Sequence, residues 1–428
     1  MIGRILRDQM QELRERLNKT STVVEREMLR ECKDMIKSKL IKVIIGPRRA
    51  GKSFFAYLLL KNKVFAYANF DEKKLIREDE ERIIEAFYEV YGKDLKYVLL
   101  DEIQNLENWE LFVNKLHRKM LNLFITGSNS KLLSRELATA LTGRHIVIEI
   151  LPFSFREYLR AINFSEDIET TRGLGILKRE LKRFMETTGF PEVVVEHENA
   201  RYYVRQLFDD IVTRDIVLRY KIRNEETVRD IAETLVSNIS CCFTYNRIKR
   251  DFGLGSEHTA KNYIRYMNET YTVLPLSRFS FKPREVKKSE KKAYTVDNGF
   301  YNFVGIKHSE NIGRLYENTV AIELMHKGLQ FDREVFYYRS VEGYEVDFLI
   351  KNGNKVKQLI QVCYNIEDET TRKREIRALI HASKQLNCKN LLVITEDYEN
   401  EERVRWFGTE RRIKFILMVE VSFITNYL

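Results

Sequence analysis

The stretch Val43-Ile44-Ile45-Gly46-Pro47-Arg48-Arg49-Ala50-Gly51-Lys52-Ser53 decides the fold of this 428-residue chain. Its first three residues form a short apolar run, which is typical of a buried parallel strand. The pattern Gly-x-x-x-x-Gly-Lys-Ser follows, and a helix is expected over residues 53–61. In such a strand–loop–helix unit, the glycines let the backbone approach a polyphosphate, and the helix N-terminus faces it. The stretch therefore predicts a phosphate-binding loop.

The residues of this loop have separate predicted roles. Lys52 would bring a positive charge to the β- and γ-phosphates, and the Ser53 hydroxyl would ligate magnesium. The predicted cofactors are therefore ATP and Mg²⁺. The nucleotide is expected to contact the whole loop and the start of the helix: Gly46, Pro47, Arg48, Arg49, Ala50, Gly51, Lys52, Ser53 and Phe54.

A second apolar run, Tyr97-Val98-Leu99-Leu100, leads directly into Asp101-Glu102. Asp101 is predicted to hold magnesium through water, and Glu102 is predicted to polarise the water that attacks the γ-phosphate. Alone, an apolar run that ends in Asp-Glu is weak evidence. About fifty residues after a phosphate loop, it is typical of an ATP-hydrolysing site.

Two further catalytic roles stay open between alternatives. A polar residue after the strand at residues 123–126 would sense the γ-phosphate, and both Asn129 and Ser128 are candidates. A turn or a helix cap explains this stretch equally well. Arg144 precedes the last strand of the predicted core, where an arginine finger for a neighbouring subunit often lies, and Arg135 is the second candidate. An arginine finger supplied by a neighbour would require a homo-oligomer.

Composition limits the kinds of partner. The net charge is +10 and the pI is near 9.1, which favours a polyanionic partner such as DNA. The five cysteines lack framework spacing and are typical of reduced intracellular thiols. The first residues lack an apolar signal core, and no run approaches the roughly 20 apolar residues of a membrane span. The expectation is a cytoplasmic protein without a membrane partner.

Residues 224–292 give a separate prediction of DNA binding. Helices in close succession followed by a β-rich stretch are typical of a winged helix. Residues 244–292 carry 12 Lys and Arg against 5 Asp and Glu, a net charge of +7. The solvated basic face of a protein-contact module would have the same composition. The candidate DNA contacts are Lys261, Asn262, Arg265, Lys282, Arg284, Lys287 and Lys288.

Together these motifs resemble archaeal and bacterial ATPases of the broad AAA class that carry a C-terminal domain related to PD-(D/E)-x-K nucleases. The resemblance spans residues 26–395. It is carried by the phosphate loop and by the strand that ends in Asp101-Glu102-Ile103-Gln104. The other matching motifs are Thr126-Gly127-Ser128, Gly189-Phe190-Pro191-Glu192, Arg214-Asp215-Ile216, Tyr316-Glu317-Asn318 and Tyr344-Glu345-Val346-Asp347-Phe348-Leu349.

The resemblance implies an α/β multidomain fold. Its parts are a RecA-like P-loop core with a parallel sheet, a helical lid, a winged helix and a restriction-endonuclease-like α/β domain. The implied boundaries are an N-terminal helical segment at 1–40, the ATPase core at 41–150, the lid at 151–223, the winged helix at 224–292 and the nuclease-like domain at 293–428.

The nuclease-like site departs from the family pattern. Asp347 matches the first acid and Glu317 matches the helix carboxylate. Gln361 and Cys363 stand where Glu-x-Lys is expected, and a thiol cannot replace the ammonium group. Lys357 projects to the same strand face as Gln361, which keeps an active nuclease open as an alternative. The expectation is an inactive, degenerate site.

Three functions follow from these expectations. The first is a magnesium-dependent ATPase that binds DNA through a winged helix and couples ATP hydrolysis to DNA remodelling or translocation. The second is an ATP-dependent regulatory switch that docks a protein partner. The third is an ATP-regulated DNA nuclease. Salt-dependent DNA binding separates the first from the second, and magnesium-dependent cleavage identifies the third.

Overall fold

The computed structural model describes residues 1–19, 23–127, 143–306, 311–406 and 408–421. The chain divides into two compact units. Unit 1 comprises Met1–Phe153, Glu157–Phe164 and Phe190–Glu198, and unit 2 comprises Ser154–Arg156, Ser165–Gly189 and Asn199–Leu428. The segment predicted as a lid, residues 151–223, is therefore divided between the two units. In the described ranges, no helix combines the length and the apolar character that a membrane crossing requires.

A parallel sheet of five strands forms the centre of unit 1, as the sequence predicted. The strands are β1 (Ile41–Ile45), β2 (Phe65–Asn69), β3 (Tyr97–Asp101), β4 (Asn122–Gly127) and β5 (His145–Glu149). Their spatial order is β2-β3-β4-β1-β5, and all four pairings are parallel. The chain order reverses across β1, and open α/β sheets bind ligands at the carboxyl ends of the strands at such a point.

Helices cover this sheet. In the described residues up to 198, the α-helices are α1 (Ile2–Lys19), α2 (Glu27–Cys32), α3 (Lys52–Leu60), α4 (Lys73–Ile76), α5 (Glu80–Tyr91), α6 (Trp109–Arg118), α7 (Phe155–Ala161), α8 (Thr171–Glu186), which belongs to unit 2, and α9 (Pro191–Glu196). The buried side chains of α1 recur every three or four residues, at Leu6, Met10, Leu13 and Leu17, so this helix buries one apolar stripe. The helix packs against α5 and β2 and belongs to the core of unit 1.

Unit 2 contains a three-stranded antiparallel sheet with short helices. Its elements in chain order are α10 (Ala200–Asp210), α11 (Glu225–Ser237), β6 (Cys242–Phe243), α12 (Tyr245–Asp251), α13 (Glu257–Glu269), β7 (Leu274–Ser277), α14 (Pro283–Lys288) and β8 (Lys291–Tyr294). The strand order is β6-β8-β7. Ser256 caps α13 by accepting a hydrogen bond from the Thr259 N–H. After β7 ends at Ser277, Pro283 begins the short helix α14, so the β-rich stretch expected after the helices is interrupted.

A six-stranded mixed sheet follows in unit 2. The strands are β9 (Val335–Arg339), β10 (Glu345–Asn352), β11 (Lys355–Cys363), β12 (Leu391–Thr395), β13 (Asn400–Trp406) and β14 (Thr409–Leu417), in the spatial order β13-β14-β12-β11-β10-β9. Among the described residues after 310, the α-helices are α15 (Ile312–His326), α16 (Glu369–Leu386) and α17 (Met418–Val421). α16 packs on β10 and β11, which places the middle of this sheet in an apolar core.

Candidate nucleotide site

The phosphate loop leaves β1 through two glycines that no other residue replaces without strain. Gly46 has a φ of +146°, and a Cβ built there would lie 1.9 Å from the Ile150 carbonyl oxygen. Gly51 has a φ of +89° and caps the N-terminus of α3. These values lie in the region of φ that glycine adopts at no steric cost. The sequence pattern therefore encodes a backbone path that ends with the α3 N-terminus facing the loop.

Lys52 folds over this loop. Its side chain is buried, and the ammonium donates a 2.8 Å hydrogen bond to the carbonyl oxygen of Pro47. Phe54, one turn into α3, packs partly buried against the apolar core, so its contribution to a nucleotide site is its backbone at the helix N-terminus. The loop thus presents one cation and a helix N-terminus to the same small volume.

Asp101 is the centre of the polar network beside the loop. Its Oδ1 accepts a 2.8 Å hydrogen bond from Ser53 Oγ and another from the Thr126 hydroxyl, and its Oδ2 accepts a 2.9 Å hydrogen bond from Tyr67. Burial raises the pKa of Asp101 and the charge of Glu102 adds to this, while the three hydroxyls oppose the shift. A buried carboxylate next to a serine hydroxyl provides the hard oxygen ligands that Mg²⁺ prefers.

Glu102 lies next to this network in a strained conformation. Its φ is +49°, in the left-handed region, which is uncommon for residues other than glycine. Its backbone N–H donates to Thr126 Oγ1 at 3.1 Å, and its carboxylate accepts a hydrogen bond from the Gln104 side chain. Thr126 therefore fixes both acids at once. From the sequence, Thr126 was recognised only as part of the motif Thr126-Gly127-Ser128, without a role of its own.

Arg26 supports the loop from outside the motif. Its guanidinium donates to the Ala50 carbonyl oxygen at 3.0 Å and to the Leu151 carbonyl oxygen, and its Nε lies 2.9 Å from Glu157 Oε2. The side chain is 6% exposed. A single arginine between α1 and α2 belongs to no recognisable sequence motif, so the role of Arg26 was not predicted.

The segment that begins with Gly189-Phe190-Pro191-Glu192 also reaches the loop in unit 1. Glu192 on α9 forms a 2.9 Å ion pair with Arg49, whose φ is +66°. A Cβ at Gly51 would lie 3.8 Å from the Pro191 ring, so α9 packs directly on the loop. The resemblance pointed to these residues, and their contacts place them at the nucleotide site.

Arg144 lies at the opposite end of β1 from the phosphate loop. Its carbonyl oxygen accepts from the N–H of Ile41, at the start of β1, whereas the loop follows the end of β1. A strand of five residues spans about 17 Å, and the side chain of Arg144 is exposed. Arg144 is thus separated from the loop of its own chain. Asn129, Ser128 and Arg135 fall outside the described residues.

The predicted DNA-contacting residues divide into exposed and paired cations. Lys261 on α13 and Arg284, Lys287 and Lys288 on α14 are exposed, and within the described residues none of them lies within ion-pair distance of a carboxylate. Three residues have local partners: Arg265 lies 3.6 Å from Glu269, Lys282 lies 3.2 Å from Glu285, and Asn262 contacts His258. Part of the basic count is not on the surface, because Lys291 and Lys292 are buried.

The residues of the nuclease-like pattern come together in part. Glu317 and Asp347 both contact the buried ammonium of Lys292, a residue that the sequence analysis counted as surface charge. Gln361 donates to Glu375 and lines the same cavity. Cys363 packs in the apolar core, and burial and the charge of Glu375 raise its thiol pKa to about 12, so it is a neutral thiol at pH 7.

Comparison with known proteins agrees with the nucleotide site. Residues 38–159 match the family described as an AAA domain, and residues 178–310 and 312–410 match two families described as domains of unknown function, DUF8612 and DUF4143. The Walker-type ATPase PABY2304 of Pyrococcus abyssi, a solved structure, is similar at 13% identity over 66% of this chain and 96% of that one. Its TM-score is 0.42, and the descriptions of the two C-terminal families name no activity.

Two relatives match almost the whole chain. An uncharacterized protein of Haemophilus influenzae is 28% identical over 380 residues, 85% of this chain and 90% of that protein. The uncharacterized protein MJ1544 of Methanocaldococcus jannaschii is 36% identical over 390 residues, 88% of this chain and 86% of that protein. With this identity and an AAA domain around its phosphate loop, the chain belongs to the family of MJ1544, a family of P-loop ATPases.

Proposed function

We propose that this ATPase depends on magnesium, binds DNA through residues 224–292, and couples ATP binding and hydrolysis to remodelling or translocation of that DNA. The observation that carries the proposal is the 2.8 Å contact between Ser53 and Asp101, at the carboxyl edge of the sheet beside the phosphate loop. It joins the predicted metal ligands from two distant parts of the chain.

Ser53 and Asp101 are the residues that would hold magnesium, which neutralises charge on the β- and γ-phosphate oxygens when it is bound. The Ser53 hydroxyl would ligate it directly, and the Asp101 carboxylate would hold it through water. Lys52 would exchange its contact with the Pro47 carbonyl for phosphate oxygens, which are stronger acceptors. Arg26 supports this arrangement by holding the Ala50 carbonyl of the loop.

Glu102 is the proposed general base. Its backbone is fixed by the Thr126 hydroxyl, and its carboxylate is oriented by the Gln104 side chain. A base that is held in place in advance loses less entropy when it orients the attacking water. Glu102 would therefore orient this water and take its proton, while Thr126 and Gln104 act only through Glu102.

The DNA-binding part of the proposal rests on α13 and α14. The chain order α11, β6, α12, α13, β7, α14, β8 and the antiparallel order β6-β8-β7 resemble those of a winged helix, with the short helix α14 between the last two strands and α13 as the helix that would enter the major groove. The exposed cations Lys261, Arg284, Lys287 and Lys288 have the charge that phosphate contacts need. Arg265 is a weaker candidate, since Glu269 already neutralises it.

A homo-oligomer completes the proposal. Arg144 is exposed and separated from its own loop by the length of β1, so only a neighbouring subunit could bring this arginine to a nucleotide. Such an arginine stabilises the charge that develops on the transferred phosphoryl group.

The decisive experiment measures ATP turnover with and without duplex, forked and single-stranded DNA, in magnesium and in EDTA. We expect turnover in magnesium alone and stimulation by at least one form of DNA. The Glu102→Gln variant is the control for contaminating ATPases. If no form of DNA changes the rate of ATP turnover, and if DNA affinity does not change with salt, DNA coupling is contradicted and the regulatory switch is favoured.

A further inference from the structure

Lys292 on β8 is buried among three carboxylates of unit 2. Its Nζ lies 3.0 Å from Glu317 Oε1, 2.8 Å from Glu345 Oε1 and 2.9 Å from Asp347 Oδ1. The residue is only 2% exposed. The lysine therefore joins three elements that are far apart in the chain: β8, α15 and β10.

The ammonium group of Lys292 contacts all three carboxylates of this cluster. It donates hydrogen bonds to Glu317 Oε1 and Asp347 Oδ1, and Glu345 Oε1 lies within ion-pair distance. Burial alone would lower the pKa of Lys292, but the charges of Asp347 and Glu317 outweigh burial and hold the pKa well above its ordinary value. The side chain is therefore a cation near neutral pH.

While the Lys292 ammonium is in place, a divalent metal does not fit the same oxygens. Magnesium requires oxygen ligands at about 2.1 Å, and the Glu317 and Asp347 oxygens that would supply them are directed at Lys292 Nζ. Two further groups hold the same carboxylates in position: Asp347 Oδ2 accepts from the Val362 N–H at 3.0 Å, and Tyr294 donates to Glu317 Oε1 at 2.6 Å. In the described ranges, no three His, Cys, Asp or Glu side chains are placed to hold a metal. This disagrees with the metal that a nuclease-like fold implies.

One nearby acceptor has no donor. Gln361 is 4% exposed and lines the same cavity of about 650 Å³ as Lys292, Glu317 and Asp347. Its Nε2 donates to Glu375, but within the described part of the chain Oε1 has no hydrogen-bond donor. An unsatisfied buried oxygen beside carboxylates is a ligand for a cation.

We propose that the Lys292 ammonium takes the place of a divalent cation in this cluster, and that a neutral side chain at position 292 turns the cluster into a divalent-cation site. The ligands of that site are Glu317, Asp347 and Gln361, with Glu345 at its more exposed side. In the wild type, the charge of Lys292 holds α15 and β10 on β8 without metal. The inference concerns unit 2 alone and does not depend on the proposed function of the ATPase site.

The test measures Mn²⁺ binding by electron paramagnetic resonance at pH 7.5, with full-length protein and without nucleotide. Lys292→Met removes the ammonium and keeps the apolar stem. Lys291→Met is the matched control, because Lys291 is the neighbouring buried lysine and donates to Ser277 instead of to this cluster. We expect Lys292→Met to gain one Mn²⁺ per chain and to bind it at least about tenfold more tightly than the wild type or Lys291→Met.

Asp347→Asn assigns the metal to the cluster. In the double variant with Lys292→Met, Asp347→Asn is expected to abolish the gained Mn²⁺ binding. In the wild type, Asp347→Asn is expected to leave Mn²⁺ binding unchanged. A folded Lys292→Met protein without the extra Mn²⁺ would overturn the proposal. If Lys292→Met does not fold, the wild type decides: one Mn²⁺ that is lost with Asp347→Asn refutes the proposal, and unchanged binding supports it. Metal-dependent DNA cleavage that is lost in Asp347→Ala but kept in Lys52→Ala would also refute it.

Discussion

The backbone N–H of Glu102 donates a hydrogen bond to the Thr126 hydroxyl at 3.1 Å, and the same hydroxyl donates to Asp101. One side chain on β4 therefore positions the proposed base and the proposed metal ligand. Thr126→Val keeps the shape of the side chain and removes both hydrogen bonds. We expect kcat for ATP to fall about tenfold or more with a smaller change in KM, because positioning acts mainly on the transition state.

Thr126→Ser is the matched variant for this prediction. It retains the hydroxyl and is expected to recover most of the rate, since the hydroxyl and not the methyl group makes both contacts. Equal rates for Thr126→Val and the wild type would show that Thr126 does not position the acids.

Substitutions of Lys52 and Glu102 are expected to impair different steps, ATP binding and ATP hydrolysis respectively. Lys52→Ala removes a charged contact to phosphate and should weaken ATP binding. Glu102→Gln should bind ATP with wild-type affinity and hydrolyse it on the order of 10²-fold or more slowly, because the amide cannot accept the proton of water. Equilibrium binding of ATP and single-turnover hydrolysis separate the two effects. If the Glu102→Gln variant hydrolyses ATP at the wild-type rate, Glu102 is not the general base.

Mixing tests whether Arg144 acts between subunits. Lys52→Ala and Arg144→Ala proteins are each expected to be inactive, and an equal mixture should recover part of the wild-type rate, because some interfaces then pair an intact loop with an intact arginine. Arginine fingers contribute about 10³-fold or more in rate where they have been measured. A monomer that hydrolyses ATP at the full rate would exclude a shared site.

DNA affinity should depend on the exposed cations of α14. Lys287→Glu with Lys288→Glu is expected to weaken duplex binding, and each lost phosphate contact should reduce the log–log salt slope by about 0.9. Lys73→Glu with Lys74→Glu, an exposed pair on α4, changes the net charge equally and serves as the control. The same loss of affinity in both variants would mean that only the overall charge matters.

The stability of unit 2 should depend on pH through Glu317. Burial and the charge of Asp347 raise the pKa of Glu317 to about 7 from its ordinary value of 4.5. The stabilisation from the retained proton is complete below pH 4.5 and is lost as the pH rises through 7. Between pH 5 and pH 8, Glu317→Gln should therefore gain stability relative to the wild type, by up to about 3 kcal/mol. Urea denaturation at the two pH values measures this change, and parallel pH profiles would contradict the prediction.

The strands and the phosphate loop were predictable because their signals are local. The spacing of Gly46, Gly51, Lys52 and Ser53 specifies a strand, a loop and a helix, and the structure has β1, the loop and α3 in this order. The apolar runs at 43–45, 97–100 and 123–126 lie in β1, β3 and β4. In each case, apolar runs bounded by polar turns carry the information.

The contacts missed in the sequence join residues that are far apart in the chain. Thr126 lies 24 residues from Glu102, and Lys292 lies 55 residues from Asp347. A buried lysine that is paired with carboxylates cannot be distinguished from a solvated lysine in the sequence. Lys292 was therefore counted in the net charge of residues 244–292. The helix at 283–288 was missed for another reason. Proline is favoured at the first position of a helix, so Pro283 indicated this start locally, but no helix was predicted there.

The contact between Arg26 and the phosphate loop sets a limit on truncation. A fragment that begins at residue 38, where the match to an AAA domain begins, would retain every motif residue of the nucleotide site. It would also lose the donor to the Ala50 carbonyl and leave Glu157 without its buried cation. The apolar stripe of α1 would be removed as well, exposing core side chains of the sheet. We therefore expect an ATPase fragment of this chain to need its first helix, because residues of α1 are part of the apolar core of unit 1.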